Sequence, residues 1–280
     1  MRYKFSLSTT AFFLSTLVYL SGCTKKISLL PPTSSDIPCR ISLITSNTGE
    51  NGVLDTLYFT YNAAGNPSLI RQSQILDAGS YEFIYDSHNT LVQYKVVYTE
   101  FNASGWTIFQ FPRGSDQPDT DITYQFPSPD TGSLPPAFYT NLDTTAYRYD
   151  SQKRISQTVT IYADNEGNVA FTTTYNYSYD NRGNLSSPIF DDTTAGRAYD
   201  DKVNFRRLNP IFQFIDRDYS QNNLTTQIQI LSYNQYGLPT HMKDTSPIGT
   251  LTFLGIGLGE CWIQYDCSCG IKTTVPLKDL

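Results

Sequence analysis

Only two imidazoles occur in the chain, His88 and His241, and neither stands in a pattern that does chemistry. His88 falls in a turn and His241 in a strand after Pro239. A hydrolase triad or a zinc protease would show Gly-x-Ser-x-Gly or His-Glu-x-x-His, and the sequence has neither. Carboxylates remain as candidates for acid-base work, since glycoside hydrolysis uses two of them roughly 5 to 10 Å apart. Asp200, Asp201, Asp216 and Asp218 cluster in one segment, and Asp116, Asp119, Asp121 and Asp130 in another. Spacing alone puts no pair in a common pocket, and solvated loop and cap positions account for most of them. Asp119-Thr120-Asp121 starts like an oxygen-rich calcium loop, but the pattern does not continue. No catalytic residue, metal or cofactor is expected.

Arg2 and Lys4 precede an uncharged stretch from Phe5 to Leu20, the layout of a signal peptide. Its apolar part is too short for a comfortable span of about 20 residues. Leu20-Ser21-Gly22-Cys23 follows, and resembles the lipobox of bacterial lipoproteins. The resemblance implies cleavage of residues 1–22 and lipid on Cys23. With Thr24 next to that cysteine it further implies the outer membrane, and Lys25 and Lys26 favour a periplasm-facing domain over a surface-displayed one. Residues 23–38, with Pro31, Pro32 and Pro38, read as a tether, and 39–280 as one domain. Without Arg2 and Lys4 the mature chain keeps 18 basic residues against 26 acidic ones, which argues against nucleic acid as a partner.

Beyond Cys23 stand Cys39, Cys261, Cys267 and Cys269. An even number in an oxidising compartment points to disulfides. Cys267 and Cys269 are too close to pair comfortably with each other, so one of them pairs with Cys261 or Cys39. The spacing does not suit a four-thiolate zinc site.

The remaining pattern belongs to strands and turns. An aromatic strand followed by Asp or Asn, two polar residues and Gly recurs at Tyr61, Tyr179 and Tyr233. Shorter forms stand at Asn102-Ala103-Ser104-Gly105 and Asp164-Asn165-Glu166-Gly167, and degenerate ones at Asp86 and Asp150. A type I turn favours Asp or Asn first, and its closing residue needs a left-handed backbone that Gly adopts freely and Asn tolerates. Asn89 fits that position, while Lys153 is costly there and suggests a different turn.

Between turns the residues alternate with period two. Tyr81, Tyr85, Tyr94, Tyr98, Tyr175, Tyr177 and Tyr179 fall on strand faces and form a candidate aromatic binding face, although tyrosine is also simply favoured in strands. The fold class is therefore all-β: an antiparallel up-and-down meander of long hairpins, able to close into a barrel. Long loops are expected near 112–136 and 185–223. One short helix is expected near 209–217, started by Leu208-Asn209-Pro210.

The phrase from Tyr179 to Leu185 resembles the YD repeat of Rhs-type proteins. The wider layout, with Tyr199-Asp200-Asp201-Lys202-Val203-Asn204 followed by Arg217-Asp218-Tyr219-Ser220-Gln221-Asn222-Asn223, is similar to Bacteroidota lipoproteins with a domain of the DUF4595 type. That resemblance implies a porin-like fold and brings no activity with it. The expected function is a non-enzymatic envelope lipoprotein, membrane-bound through Cys23, that binds or scaffolds a glycan or an envelope protein through its sheet. The alternatives are a carboxylate-dependent enzyme acting on envelope polysaccharide, and a structural protein that assembles with copies of itself.

Overall fold

A computed structural model describes residues 37–47, 54–73, 79–98, 104–126, 139–187, 196–246 and 249–267. The expected signal peptide over 1–22, Cys23, Cys269 and Asp130 lie outside them. Ten strands follow one another in the first two thirds of the chain: β1 (Cys39–Asn47), β2 (Leu54–Tyr61), β3 (Pro67–Gln72), β4 (Gly79–Tyr85), β5 (Leu91–Tyr98), β6 (Ser104–Gln110), β7 (Thr120–Phe126), β8 (Asn141–Tyr149), β9 (Ile155–Asp164) and β10 (Val169–Asn176). Each pairs antiparallel with the next, so the expected meander is present. Then come β11 (Tyr199–Val203), a short 3-10 turn at Phe205–Leu208, α1 (Pro210–Asp216), β12 (Asn222–Leu224), β13 (Ile228–Tyr233), β14 (Pro239–Asp244), β15 (Thr252–Phe253), β16 (Ile256–Gly257) and β17 (Glu260–Cys267). β17 inserts between β1 and β14, which extends the sheet to 13 strands with β10 at one edge and β13 at the other. Among the described residues the sheet does not close.

Six turns share one hydrogen-bonding plan, at Asn62, Asp86, Asp150, Asp164, Asp180 and Asn234. The first residue's carbonyl accepts from the backbone N–H three residues on. Its side-chain Oδ1 accepts from the N–H groups two and four residues on, as in Ala64 and Asn66 to Asn62, and His88 and Thr90 to Asp86. The closing residue is left-handed each time, including Asn89 and Lys153, both at φ 62°. Lys153 thus takes the same turn and not a different one, because the Asp150 side chain and the two flanking strands fix the backbone around it. Gly105 corrects the reading of Asn102–Gly105 as a turn: it sits inside β6, opposite Val96 and Gln125.

The tyrosines just before four of these turns have a common task. Tyr61, Tyr85, Tyr149 and Tyr179 each donate the phenol O–H to a backbone carbonyl elsewhere, those of Ile41, Pro67, Pro118 and Ile155. Each ties the corner of a hairpin to another part of the chain, and a buried carbonyl is satisfied in the process.

The loop expected over 112–136 is corrected by β7, whose Thr-Asp-Ile-Thr-Tyr-Gln-Phe alternates across the sheet. Flanking prolines and aspartates hide that alternation in the sequence. Residues 127–138 lie outside the described set. The break expected over 185–223 likewise holds β11 and part of β12, paired with each other. The helix stands where expected. Asn209 caps it by accepting from the Ile211 N–H at 3.0 Å, Pro210 opens it, and left-handed Arg217 (φ 54°) ends it.

One large core lies between the sheet and this insertion. Ile41, Ile44, Leu57, Ile70, Tyr81 and Ile263 from the sheet pack against Phe205, Phe212, Phe253 and Leu258. Phe212 meets Phe59 at 6.0 Å and Phe253 at 5.1 Å between ring centroids. Buried Arg206 bonds Asp216 at 2.6 Å, lies 3.7 Å from Asp218, and donates to the Thr252 carbonyl. Among the described residues no helix is long and apolar enough to cross a membrane.

Candidate functional site

Over β1 to β4, β14 and β17 one face of the sheet is covered by hydrocarbon from α1 and from the segment around β15 and β16. Over β5 to β9 that face turns polar and borders a cleft of about 240 Å³. Strand register explains its lining. Tyr94, Thr107, Thr123, Asp143 and Tyr162 stand opposite one another from β5 through β9, and Phe109, Asp121, Thr145 and Thr160 form a parallel row two residues away. Threonine hydroxyls bond in pairs, Thr107 to Thr123 at 2.8 Å and Thr145 to Thr160 at 3.1 Å. Phe214, Ile215 and Arg217 from the end of α1 complete the wall.

Asp121 is the most constrained polar group here, at 4% exposure. The Tyr147 phenol donates to its Oδ2, while Oδ1 is buried with no hydrogen-bond partner among the described residues. Burial pushes its carboxyl up to about 6 against the bonds that favour its charge. Asp143, at 8% exposure, has its Oδ2 held by the Gln125 amide at 2.9 Å, and burial raises its pKa too. The two carboxylates occupy diagonal positions on neighbouring strands, with backbones about 7–8 Å apart. The Arg217 guanidinium lies 5.9 Å from the centre of the Tyr147 ring. Such a cleft combines an acceptor in need of a donor, a cation, hydroxyls that can donate or accept, and aromatic surface.

The other acidic candidates do not join it. Asp116 pairs with Lys153 at the surface, and its carboxyl is held below the usual range by that lysine. Asp119 bonds the Thr120 hydroxyl in an exposed loop. Asp201 pairs with Lys202, also at the surface. Asp216 and Asp218 are the partners of Arg206, and Asp200 binds both the backbone and the side chain of Asn223. Among the described residues the acidic groups of the two expected loops therefore share no pocket. Asp121 enters the cleft because it belongs to a strand.

The tyrosine face is corrected as well. Tyr81, Tyr94 and Tyr177 are buried at 1%, 9% and 5% exposure, and Tyr81 stacks on Tyr94 at 6.0 Å. Tyr85 and Tyr179 spend their hydroxyls on carbonyls. Tyr175 is half-buried beside the Tyr177 cluster, and Tyr98 ends β5. Of the six whose side chains are described only Tyr94 lines the cleft, because period two turns this face toward the interior. Tyr147, Tyr162, Asp143 and Arg217 were missed, although Asp143-x-Thr145-x-Tyr147 carries the needed signal: polar side chains at the inward phase of a strand.

Cys39 and Cys267 form a disulfide between directly opposed residues of β1 and β17. Cys261 is a correction among the disulfide candidates: it is a buried free thiol. It faces Ser46 and Met242 six residues along β17, beyond reach of Cys39. His88 is exposed beside Asp86, and His241 bonds Glu260 at 2.8 Å and stacks on Trp262. A larger groove, about 580 Å³, runs between the turn at Asn234 and β17, but no charged side chain lines it.

No family model matches the chain, and neither does any curated protein. Among solved structures it is similar to a porin-like protein from Bacteroides vulgatus ATCC 8482, at 13% identity over 81% of this chain and 98% of that one, with a TM-score of 0.40.

Proposed function

We propose that this is a non-enzymatic envelope lipoprotein that binds a glycan in the cleft over β5 to β9. The observation that carries the reading is the buried Oδ1 of Asp121, without a partner in a cleft otherwise lined by hydroxyls and rings. Leaving such an acceptor unmet costs about 1–3 kcal/mol or more, which a ligand hydroxyl would recover. Threonine pairs offer further donors and acceptors, and the half-buried ring of Tyr162 adds aromatic surface to the same wall. The lipobox supports the envelope location, and its lipid would hold the domain near a membrane. The test is a glycan array probed with the purified full-length chain, followed by titration calorimetry on each hit. Binding that weakens in Asp121→Asn supports the reading; an array that retains nothing rejects it.

A second reading follows from one observation, the placement of Asp121 and Asp143 in one cleft, the two carboxylates such an enzyme needs. In that reading the protein cleaves envelope polysaccharide, with Asp121, held partly protonated near neutral pH, as the acid. Release of reducing ends by the wild type, abolished in Asp143→Asn, would favour it. Glycan binding with no cleavage returns the assignment to the non-enzymatic reading.

A further inference from the structure

We propose that the ligand of this cleft is an amino sugar, seated with its protonated amine between Asp121 and Asp143. The inference rests on the glycan reading and adds a charge to it. Two carboxylates and one guanidinium are the charged groups lining the cleft, so its balance is negative when both acids are ionised. A neutral hydroxyl could meet the unpartnered Oδ1, but it would leave that negative balance in place. An ammonium group brings three donors and a positive charge, enough for Asp121, Asp143 and a threonine hydroxyl at once. The half-buried ring of Tyr162 in the same wall adds aromatic surface attractive to a cation. A sugar acid would instead set a like charge beside two desolvated carboxylates.

Every charged or titratable group near Asp121 enters the test. Asp143, Tyr147 and Tyr149 come from β8, Tyr94 from β5, Tyr162 from β9 and Arg217 from the end of α1, while β6 contributes only Thr107 and Phe109. Burial already disfavours both carboxylate charges, so lowering the pH neutralises them and removes the ammonium's partners.

The experiment is titration calorimetry of the full-length protein with four probes: a glucosamine trimer, an N-acetylglucosamine trimer, a galacturonate trimer and tri-lysine. The glucosamine trimer should bind tightest, by about tenfold or more, as a charge-assisted hydrogen bond implies. Its affinity should fall between about pH 6.5 and about pH 4.5, below the carboxyl's shifted pKa. Asp121→Asn and, independently, Asp143→Asn should each reduce it by about tenfold, with thermal melts showing that both variants fold. Equal or tighter binding of the acetylated or acidic trimer overturns the amine while leaving glycan binding intact. Tri-lysine binding as tightly as the glucosamine trimer overturns the sugar. Silence from all four probes, with no hit on the array either, overturns both proposals.

Discussion

At the scale of single residues, Asp121 sets a stability that depends on pH. Its folded carboxyl titrates near 6, above the ordinary value of 3.8. The folded state therefore holds more protons than the unfolded one between those values, and stability falls as pH rises through that window. Two units correspond to about 3 kcal/mol at most. Asp121→Asn removes the penalty while keeping the shape, so it should stabilise the empty protein at pH 7 by about 2–3 kcal/mol. At pH 4 and below the two proteins should match. Urea unfolding at both pH values checks the claim, and equal stability at pH 7 would defeat it. The same residue that weakens the fold is the one assigned to binding, a trade common at functional sites.

At the scale of elements, the insertion formed by β11 to β12 with β15 and β16, outside the 13-stranded sheet, is what turns that sheet into a packed protein. Phe212 is its anchor, fully buried between Phe59 and Phe253. Phe212→Ala should cost about 3–5 kcal/mol, whereas Tyr58→Ala, at 52% exposure on β2, should stay within about 0.5 kcal/mol. Urea midpoints of the two variants decide it. The strands and turns were legible in the sequence because each obeys a local rule: period two for Tyr81 to Tyr85, and Asx-type turn chemistry at Asn62, Asp86 and Asp180. α1 was legible for the same reason, from Asn209 and Pro210. β7 was not, since Pro112, Pro118 and three aspartates around it mimic a loop. The cleft was harder still, because Asp121, Asp143 and Arg217 meet only through strand register and the path of the insertion, and neither is a local property.

For the whole molecule the decisive contact is the return of β17 to β1. It joins the last described strand to the first, and the Cys39–Cys267 disulfide, spanning 228 residues, locks it. In the chain-entropy picture a cross-link of that span contributes up to about 5 kcal/mol, with strain and residual structure reducing it. The double variant Cys39→Ser/Cys267→Ser should unfold at lower denaturant than the oxidised wild type, and a reductant should bring the wild type down to meet it. If reductant leaves the wild-type midpoint unchanged, the bridge constrains nothing. Cys261 should not respond, buried as it is and with burial pushing its thiol up to about 12.

That same return has a consequence in time. In a chain delivered amino-terminus first to the compartment where it folds, Cys39 arrives 228 residues ahead of Cys267. β2 to β10 can zip up as local hairpins during that wait, but one flank of β1 has nothing to pair with. Along its nine residues only Arg40 carries a charge to discourage another strand. The newborn chain is thus most exposed to mispairing at its beginning, and is relieved only by its end.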